Sequence, residues 1–433
     1  MDQPSVDIRA YPSERGFRIG LYEEHLEEAS FLYGQVRGTR QDERATWTEP
    51  EAEEERLEAH LDGLAVGGDL ALDVCRTRLP EGDSGILHAS MRLFCRKGCR
   101  KEVFAALKKL AADDEEAQTA FWAAMKHDLP PGWERPLMEA CLEKGESLPA
   151  KALDLFGHRR FSLDWAEIPR VYKAGAIPLV DVSRYVGKIR EPNFAEGLSR
   201  IRKTRSEADL LFQSSLALLR IGDRGTYVSL ARGDRPFVGE TILLGLTGSR
   251  ECGSRLLALL NAGDVGPEVL LALGRLGYAD YIDILVEAIG SLSNQEAAAR
   301  ALNLMTGADL PIDVEKEPCP SEDAPIQLSM NPDRWRGWLR KNNKVFRPGI
   351  RYRRGMPLGP AALVKVIMDP SSSNWDREGA IEEIAIQFGV DFGLETEMEV
   401  RSQKECLRKL QEWMKTGGKR FEAGFAYFGG VRK

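Results

Sequence analysis

Apolar residues recur along this chain at the spacing of amphipathic helices, and many of these runs end at a glycine. Leucines at positions 218, 244, 273 and 302 follow one another by 26, 29 and 29 residues, and each precedes a glycine by four or five positions. Glycine ends a helix readily because it adopts positive φ without steric cost. A period near thirty residues is typical of stacked helical hairpins. Fainter copies of the same step end at Gly98 and Gly157.

The pattern predicts an all-α protein, an α-solenoid of helical hairpins with distinct N- and C-terminal helical ends. An irregular helical domain is the alternative, because glycine makes up 41 of 433 residues and some spacings arise by chance. A proline cluster then interrupts the pattern, since proline cannot continue a helix. The predicted divisions are an N-terminal helical cap, the repeat solenoid, a proline-rich linker and a C-terminal helical region with a basic aromatic stretch, at residues 1–85, 86–310, 311–330 and 331–433. Helices in the last region are predicted near residues 361–368, 375–388 and 404–414.

Two acidic helices are predicted in the N-terminal cap. Thr48 and Pro50 are start signals for the second of them, and its first turns are rich in glutamate, which favours the positive end of the helix dipole. His25 and His60 fall in these helices with carboxylates nearby. Imidazole and carboxylate together suit zinc or iron. Because no HExxH or repeated ExxH pattern is present, packing of the two helices is the favoured interpretation, and no metal is predicted.

Composition indicates an ordinary folded protein. The chain is 43% hydrophobic and 29% charged, with a net charge of −7 that gives no reason to expect extensive nucleic-acid binding. Seven scattered cysteines suit a reducing cytoplasm better than a disulfide framework. Neither a secretory signal nor an apolar run of membrane-spanning length is visible. We therefore expect a cytoplasmic, bacterial-type protein.

Three stretches together resemble an uncharacterised bacterial HEAT-like repeat family. They are His25–Leu32, Arg56–Leu64 and Ala298–Leu310, and the region from Trp335 to Leu358 is similar to the end region of that family. Members of the family often lie in gene neighbourhoods of type VI secretion systems, near spike and effector genes. The resemblance implies a HEAT-like α-solenoid and an accessory role in secretion. It supplies no catalytic residues.

No motif in the chain predicts catalysis, so the sequence predicts a non-enzyme without a cofactor or an evident small-molecule substrate. Cys95 and Cys99 stand beside basic residues that could lower a thiol pKa, but the default interpretation is two ordinary thiols. The glycine-rich segment at 245–249 lacks the lysine of a phosphate-binding loop and is interpreted as a helix end. The acids at 113–116 are interpreted as a solvated helix start.

The most distinctive charged feature is the basic stretch, residues 334–354, which holds nine cations and no acid. Tryptophan, phenylalanine and tyrosine are interleaved with the cations. Such a stretch can bind an acidic protein surface, can bind phosphates and stacked bases, or can be structural, with tryptophans packed on the last hairpin and arginines neutralising acidic neighbours. The residues predicted to bind a partner are Arg334, Trp335, Trp338, Arg340, Arg347, Arg351, Tyr352 and Arg354.

The sequence therefore predicts a protein-binding scaffold, adaptor or chaperone. By the family resemblance, its partner would be a type VI secretion effector or spike component. An immunity-type inhibitor of a toxin is an alternative that needs only a complementary surface. Nucleic-acid binding through the basic stretch is a second alternative, and the acidic total charge disfavours it.

Overall fold

The described part of the protein is predominantly helical. The structure, a computed structural model, describes residues 13–42, 45–145, 147–163, 177–234, 236–262, 266–311 and 328–433. These residues form 21 α-helices and two short antiparallel strand pairs, which confirms the all-α prediction. No helix within these ranges is both long and apolar enough to cross a membrane.

The chain divides into two compact units, Met1–Pro178 and Leu179–Lys433. The boundaries expected at residues 85 and 310 fall inside these units, because helices on either side of residue 85 pack together and the C-terminal segment bonds to the preceding helices. Most of the expected linker, residues 312–327, lies outside the described residues.

Unit 1 is a bundle of amphipathic helices that bury leucine, phenylalanine and alanine. Its helices are α1 (Glu14–Gln41), α2 (Glu51–Val66), α3 (Gly68–Arg78), α4 (Ser84–Arg96), α5 (Arg100–Lys109), α6 (Glu115–Asp128), α7 (Glu134–Lys144) and α8 (Leu148–His158). Helix α1 packs on α2 and α4, α4 packs on α6, and α7 packs on α8. The acidic helix α2 begins just after Pro50, as predicted.

Unit 2 contains a series of helices in which several pack on the next but one. Its helices are α9 (Leu179–Ile189), α10 (Ala195–Thr204), α11 (Ala208–Ile221), α12 (Arg224–Arg232), α13 (Glu240–Thr247), α14 (Arg250–Asn261), α15 (Pro267–Leu276), α16 (Ile282–Ala288), α17 (Gln295–Thr306), α18 (Pro332–Lys341), α19 (Pro360–Met368), α20 (Asn374–Glu383) and α21 (Val400–Lys415). The strongest contacts follow the odd-numbered series: α9 packs on α11, α13 on α15, and α15 on α17, with α11 against α13. Among the even-numbered helices, α12 packs on α14 in the same way.

The glycines of the leucine pattern end helices, as predicted. Gly222, Gly248, Gly277 and Gly307 follow α11, α13, α15 and α17 with φ between 61° and 95°. The prediction for Gly157 is wrong. Helix α8 runs through this buried glycine to His158, and Arg160 instead adopts the positive φ of 53° beyond the helix end.

Three glycines in the interiors of α9, α13 and α15 lie where two helices cross closely. A methyl group on Gly187 of α9 would lie 2.9 Å from the Cα of Ala217, and one on Gly245 of α13 would lie 3.1 Å from the Cα of Ala272. On Gly274 of α15 it would lie 2.6 Å from the Cα of Ala301 in α17. Small residues at these positions therefore allow the helix backbones to approach.

The C-terminal part of unit 2 supplies the remaining helices and two small hairpins. The predicted helices near 361–368, 375–388 and 404–414 are confirmed, and the second ends in a π-helical turn, Ile384–Phe388. Strand β1 (Tyr352–Arg353) pairs with β2 (Met356–Pro357), and β3 (Tyr427–Phe428) pairs with β4 (Val431–Arg432). These hairpins position the basic stretch against the helix series.

Candidate functional site

The structure divides the basic stretch into an internal part and an exposed part. Arg351 and Tyr352 are 0% and 2% exposed, and Trp335 is fully buried on α18. Arg340 and Arg347 lie at the surface, whereas Arg334, Trp338 and Arg354 are half-buried. The residues predicted to bind a partner therefore do not form one surface.

The internal arginines bond to the carboxyl ends of helices. The Nε of Arg351 donates to the carbonyl of Leu276 at 2.7 Å, and its Nη1 donates to the side-chain oxygen Oε1 of Gln387 at 2.8 Å. Gln387 in turn donates to the carbonyl of Leu246 at 2.9 Å. The last carbonyls of a helix lack partners within the helix and carry the negative end of its dipole. Arg351 and Gln387 thus satisfy the ends of α15 and α13.

Arg353 forms the second of these internal contacts. Its guanidinium donates to the carbonyl of Arg275 at 2.6 Å and to the buried carboxylate of Glu383 at 2.8 Å. Arg275 lies 3.6 Å from the same carboxylate and stacks over the Trp375 ring, 4.0 Å from its centroid. Burial lowers the pKa of Arg275 to about 10, against the opposing effect of Glu383. Arg275 consequently stays charged at neutral pH.

The main chain of the same segment completes the capping. Tyr352 donates its amide to the carbonyl of Gly277 at 2.7 Å, and Arg354 and Gly355 donate theirs to Leu304 and Met305 at 2.8 and 2.9 Å. The Arg354 side chain pairs with Asp309 at 2.8 Å, just beyond the end of α17. Residues 351–355 therefore cross the ends of α15 and α17 and bond to both.

The aromatic residues of the basic stretch pack internally. The indole of Trp335 donates to the carbonyl of Ser329 at 2.7 Å. Trp338 contacts Phe346, and Phe346 contacts Tyr352, with ring centroids 6.1 and 5.0 Å apart. The Tyr352 hydroxyl donates to the carbonyl of Val345 at 2.7 Å. These rings form the packing that holds the loop after α18 in place.

The exposed part contains four cations that are close in sequence and that we call the cationic patch: Arg340, Lys341, Lys344 and Arg347. Within the described ranges, no ion pair holds any of its four members. The remaining cations of this region are engaged, since Arg336 pairs with Asp333 at 2.9 Å and Arg334 donates to the carbonyl of Pro311. The cationic patch is thus the part of the basic stretch that is available to an external anion.

In unit 1, the two histidines of the acidic helices meet. The Nδ1 atoms of His25 and His60 lie 3.0 Å apart, and the rings form an edge-on contact between α1 and α2. Burial, followed by the neighbouring His25, lowers the pKa of His60. No cluster of three or more potential metal ligands occurs in the part of the chain that the structure describes. The two imidazoles form a polar contact between α1 and α2.

The other candidate groups have ordinary structural roles. Burial raises the pKa of Cys95 to about 12 and also raises that of Cys99, so the suggestion that basic neighbours activate these thiols is wrong because desolvation dominates. Gly248 ends α13, as interpreted from the sequence. Asp114 caps α6 by accepting the amide of Ala117 at 2.9 Å. None of these contributes to the cationic patch.

Sequence reasoning missed Glu383 and Gln387, which organise the internal arginines. Both are fully buried and lie four residues apart, Glu383 as the last residue of α20 and Gln387 in the π-helical turn that follows. The available signal was two polar residues on an otherwise apolar helix face.

Searches of protein-family models, curated proteins and solved structures found no match to this chain.

Proposed function

We propose that unit 2 is a HEAT-like solenoid and that the protein is a non-enzymatic scaffold or adaptor for a protein partner. Following the family resemblance, the partner is an effector or spike component of a type VI secretion system. Stacked helical hairpins suit this role because they bury one face and leave a long continuous surface for a partner.

The packing of alternate helices in unit 2 carries the proposal. Helices α13, α15 and α17 follow one another through close crossings at Gly245 and Gly274, and each ends at a glycine with positive φ. This recurrence supports a repeat array rather than an irregular helical domain. Residues 351–355 cap two of the helix ends, so the capped edge is already occupied by the chain itself. The remaining exposed surface, including the cationic patch, is open to a partner.

Co-purification tests the scaffold role. A tagged full-length chain expressed in its native host is isolated under gentle conditions, and bound proteins are identified by mass spectrometry against a tag-only control. We expect a stoichiometric secretion-related protein in the sample and not in the control. Recovery of the chain alone, at several salt concentrations, would count against the proposal.

A further inference from the structure

The cationic patch consists of four exposed cations, and none of them forms an ion pair with a described residue. Asp280 already accepts the amide of Gly349 at 2.7 Å and lies 3.8 Å from Arg250, which is itself 59% exposed at the side chain. Asp333 is held by Arg336. These two acids are therefore already paired, and Arg250 adds a further cation beside Gly349, two residues from Arg347.

The patch is also held in a defined conformation. Its loop is fixed at Arg347, whose backbone amide donates to the Tyr352 hydroxyl at 3.0 Å, while Phe346 packs between Trp338 and Tyr352. A loop that is already ordered loses less conformational entropy when a partner binds. The loop that carries Lys344 and Arg347 is thus already ordered by these contacts.

The surroundings favour a protein over a nucleic acid as the occupant. Proteins that bind single strands stack bases on exposed aromatic rings. Here Phe346 packs against both Trp338 and Tyr352, and an exposed apolar side chain beside the patch is Val345, at 42%. Arginine is enriched in protein interfaces, whose rims are polar and whose charges complement those of the partner.

We propose that the cationic patch, with Arg250 and Val345 at its edge, is the docking surface for an acidic segment of the protein partner. This inference rests on the proposed scaffold function and specifies where and by what chemistry the partner is held. Arg340, Lys344 and Arg347 bind carboxylates, and Val345 contacts an apolar side chain of the segment.

The test measures binding of a short fluorescent oligoglutamate peptide to the full-length chain by anisotropy. The patch variant carries Arg340→Glu, Lys344→Glu and Arg347→Glu. The control variant carries Arg401→Glu, Lys415→Glu and Lys419→Glu, three exposed cations of the same unit, so the net charge changes equally. Matching thermal unfolding of the two variants shows that both are folded.

We expect the patch variant to bind the peptide about tenfold more weakly, a loss of about 1.4 kcal/mol, and the control variant to bind it nearly as well as the wild type. The reason is that the glutamates introduced in the patch repel the carboxylates that the wild-type cations attract. Binding should also weaken between about 0.1 M and 1 M salt, where the screening length falls from about 10 Å to about 3 Å. Equal losses in the two variants, or no saturable binding at low salt, would overturn the proposal.

Two further measurements separate the possible failures. If single-stranded DNA of the same net charge binds more tightly than the peptide and is lost in the patch variant, the surface binds nucleic acid instead. If the patch variant still co-purifies with the native partner, the scaffold function stands and docking at the patch is refuted. Absence of any partner with the wild-type chain would instead refute the scaffold function itself.

Discussion

Arg347 and Arg351 stand four residues apart in one basic stretch, and their surroundings are opposite. Arg347 is exposed and has no counter-charge among the described residues, whereas Arg351 is fully buried between the end of α15 and Gln387. A guanidinium suits the second position because its planar fork can donate to a carbonyl and an amide at the same time. The same residue type thus provides a surface charge in one case and a helix cap in the other.

Replacing Arg351 by methionine should therefore destabilise unit 2 strongly. The variant leaves the carbonyl of Leu276 and the Gln387 side chain without their donor, which we expect to lower the free energy of unfolding by about 3 kcal/mol. The matched variant Arg347→Met should change it by less than about 0.5 kcal/mol, since it removes an exposed side chain. Urea unfolding followed by circular dichroism measures both. Equal midpoints for the two variants would show that the capping contacts of Arg351 contribute little.

At the scale of helices, the close contact between α15 and α17 depends on a glycine, Gly274, which has no side chain. Gly274 lies in the interior of α15, where glycine is unfavourable for a helix by about 0.5–1 kcal/mol relative to alanine. Its presence is explained by Ala301 of α17, whose Cα would be 2.6 Å from an added methyl group. Close packing of the two backbones here outweighs the lower helix propensity.

Gly274→Ala should consequently destabilise the protein although alanine favours helices. Either α17 must shift or the contact is strained, and overpacking of this kind typically costs about 1–3 kcal/mol. Gly197→Ala is the control, because Gly197 is exposed in α10 and an added methyl group meets no atom within 4 Å. There we expect a gain of up to about 1 kcal/mol. Thermal unfolding of both variants measures the effect, and a stabilised Gly274→Ala would refute the close crossing.

The helices and their ends were largely predictable from the sequence. Which residues of the basic stretch are buried and which are exposed was not. Leucine followed by glycine marks the ends at Gly222 and Gly277 because the signal is local: an apolar helix face and a residue that tolerates positive φ. The partner of Arg351 is a backbone carbonyl 75 residues away, and a carbonyl leaves no mark in the sequence. An arginine that caps a distant helix therefore looks the same as one that faces solvent.

At the scale of the whole chain, the histidines are unevenly distributed between the two units. All five histidines lie in unit 1, at positions 25, 60, 88, 127 and 158, and unit 2 has none. His88 is 2% exposed and stacks on Tyr33 with ring centroids 4.0 Å apart. Mild acidification should for this reason act on the units differently.

Burial lowers the pKa of His88 well below its usual 6.5, and the cations Arg92, Arg96 and Arg40 and the neighbouring His127 act in the same direction. Below pH 6.5 the unfolded chain takes up a proton at this imidazole and the folded chain does not. Stability is therefore complete above this pH and falls below it, by up to about 1.4 kcal/mol per pH unit for each such imidazole. The pKa of His127 is lowered by burial in the same sense.

Hydrogen exchange on the full chain between pH 7 and about 5.5, corrected for intrinsic rates, measures this local stability. We expect protection of α4 and α6 to decrease as the pH falls, while α13 and α15 keep theirs. His88→Phe preserves the stacking on Tyr33 and removes one titrating group, so it should reduce the pH dependence in α4 without abolishing it. An unchanged pH dependence in His88→Phe, or an equal loss of protection in unit 2, would show that buried imidazoles do not set the acid sensitivity of unit 1.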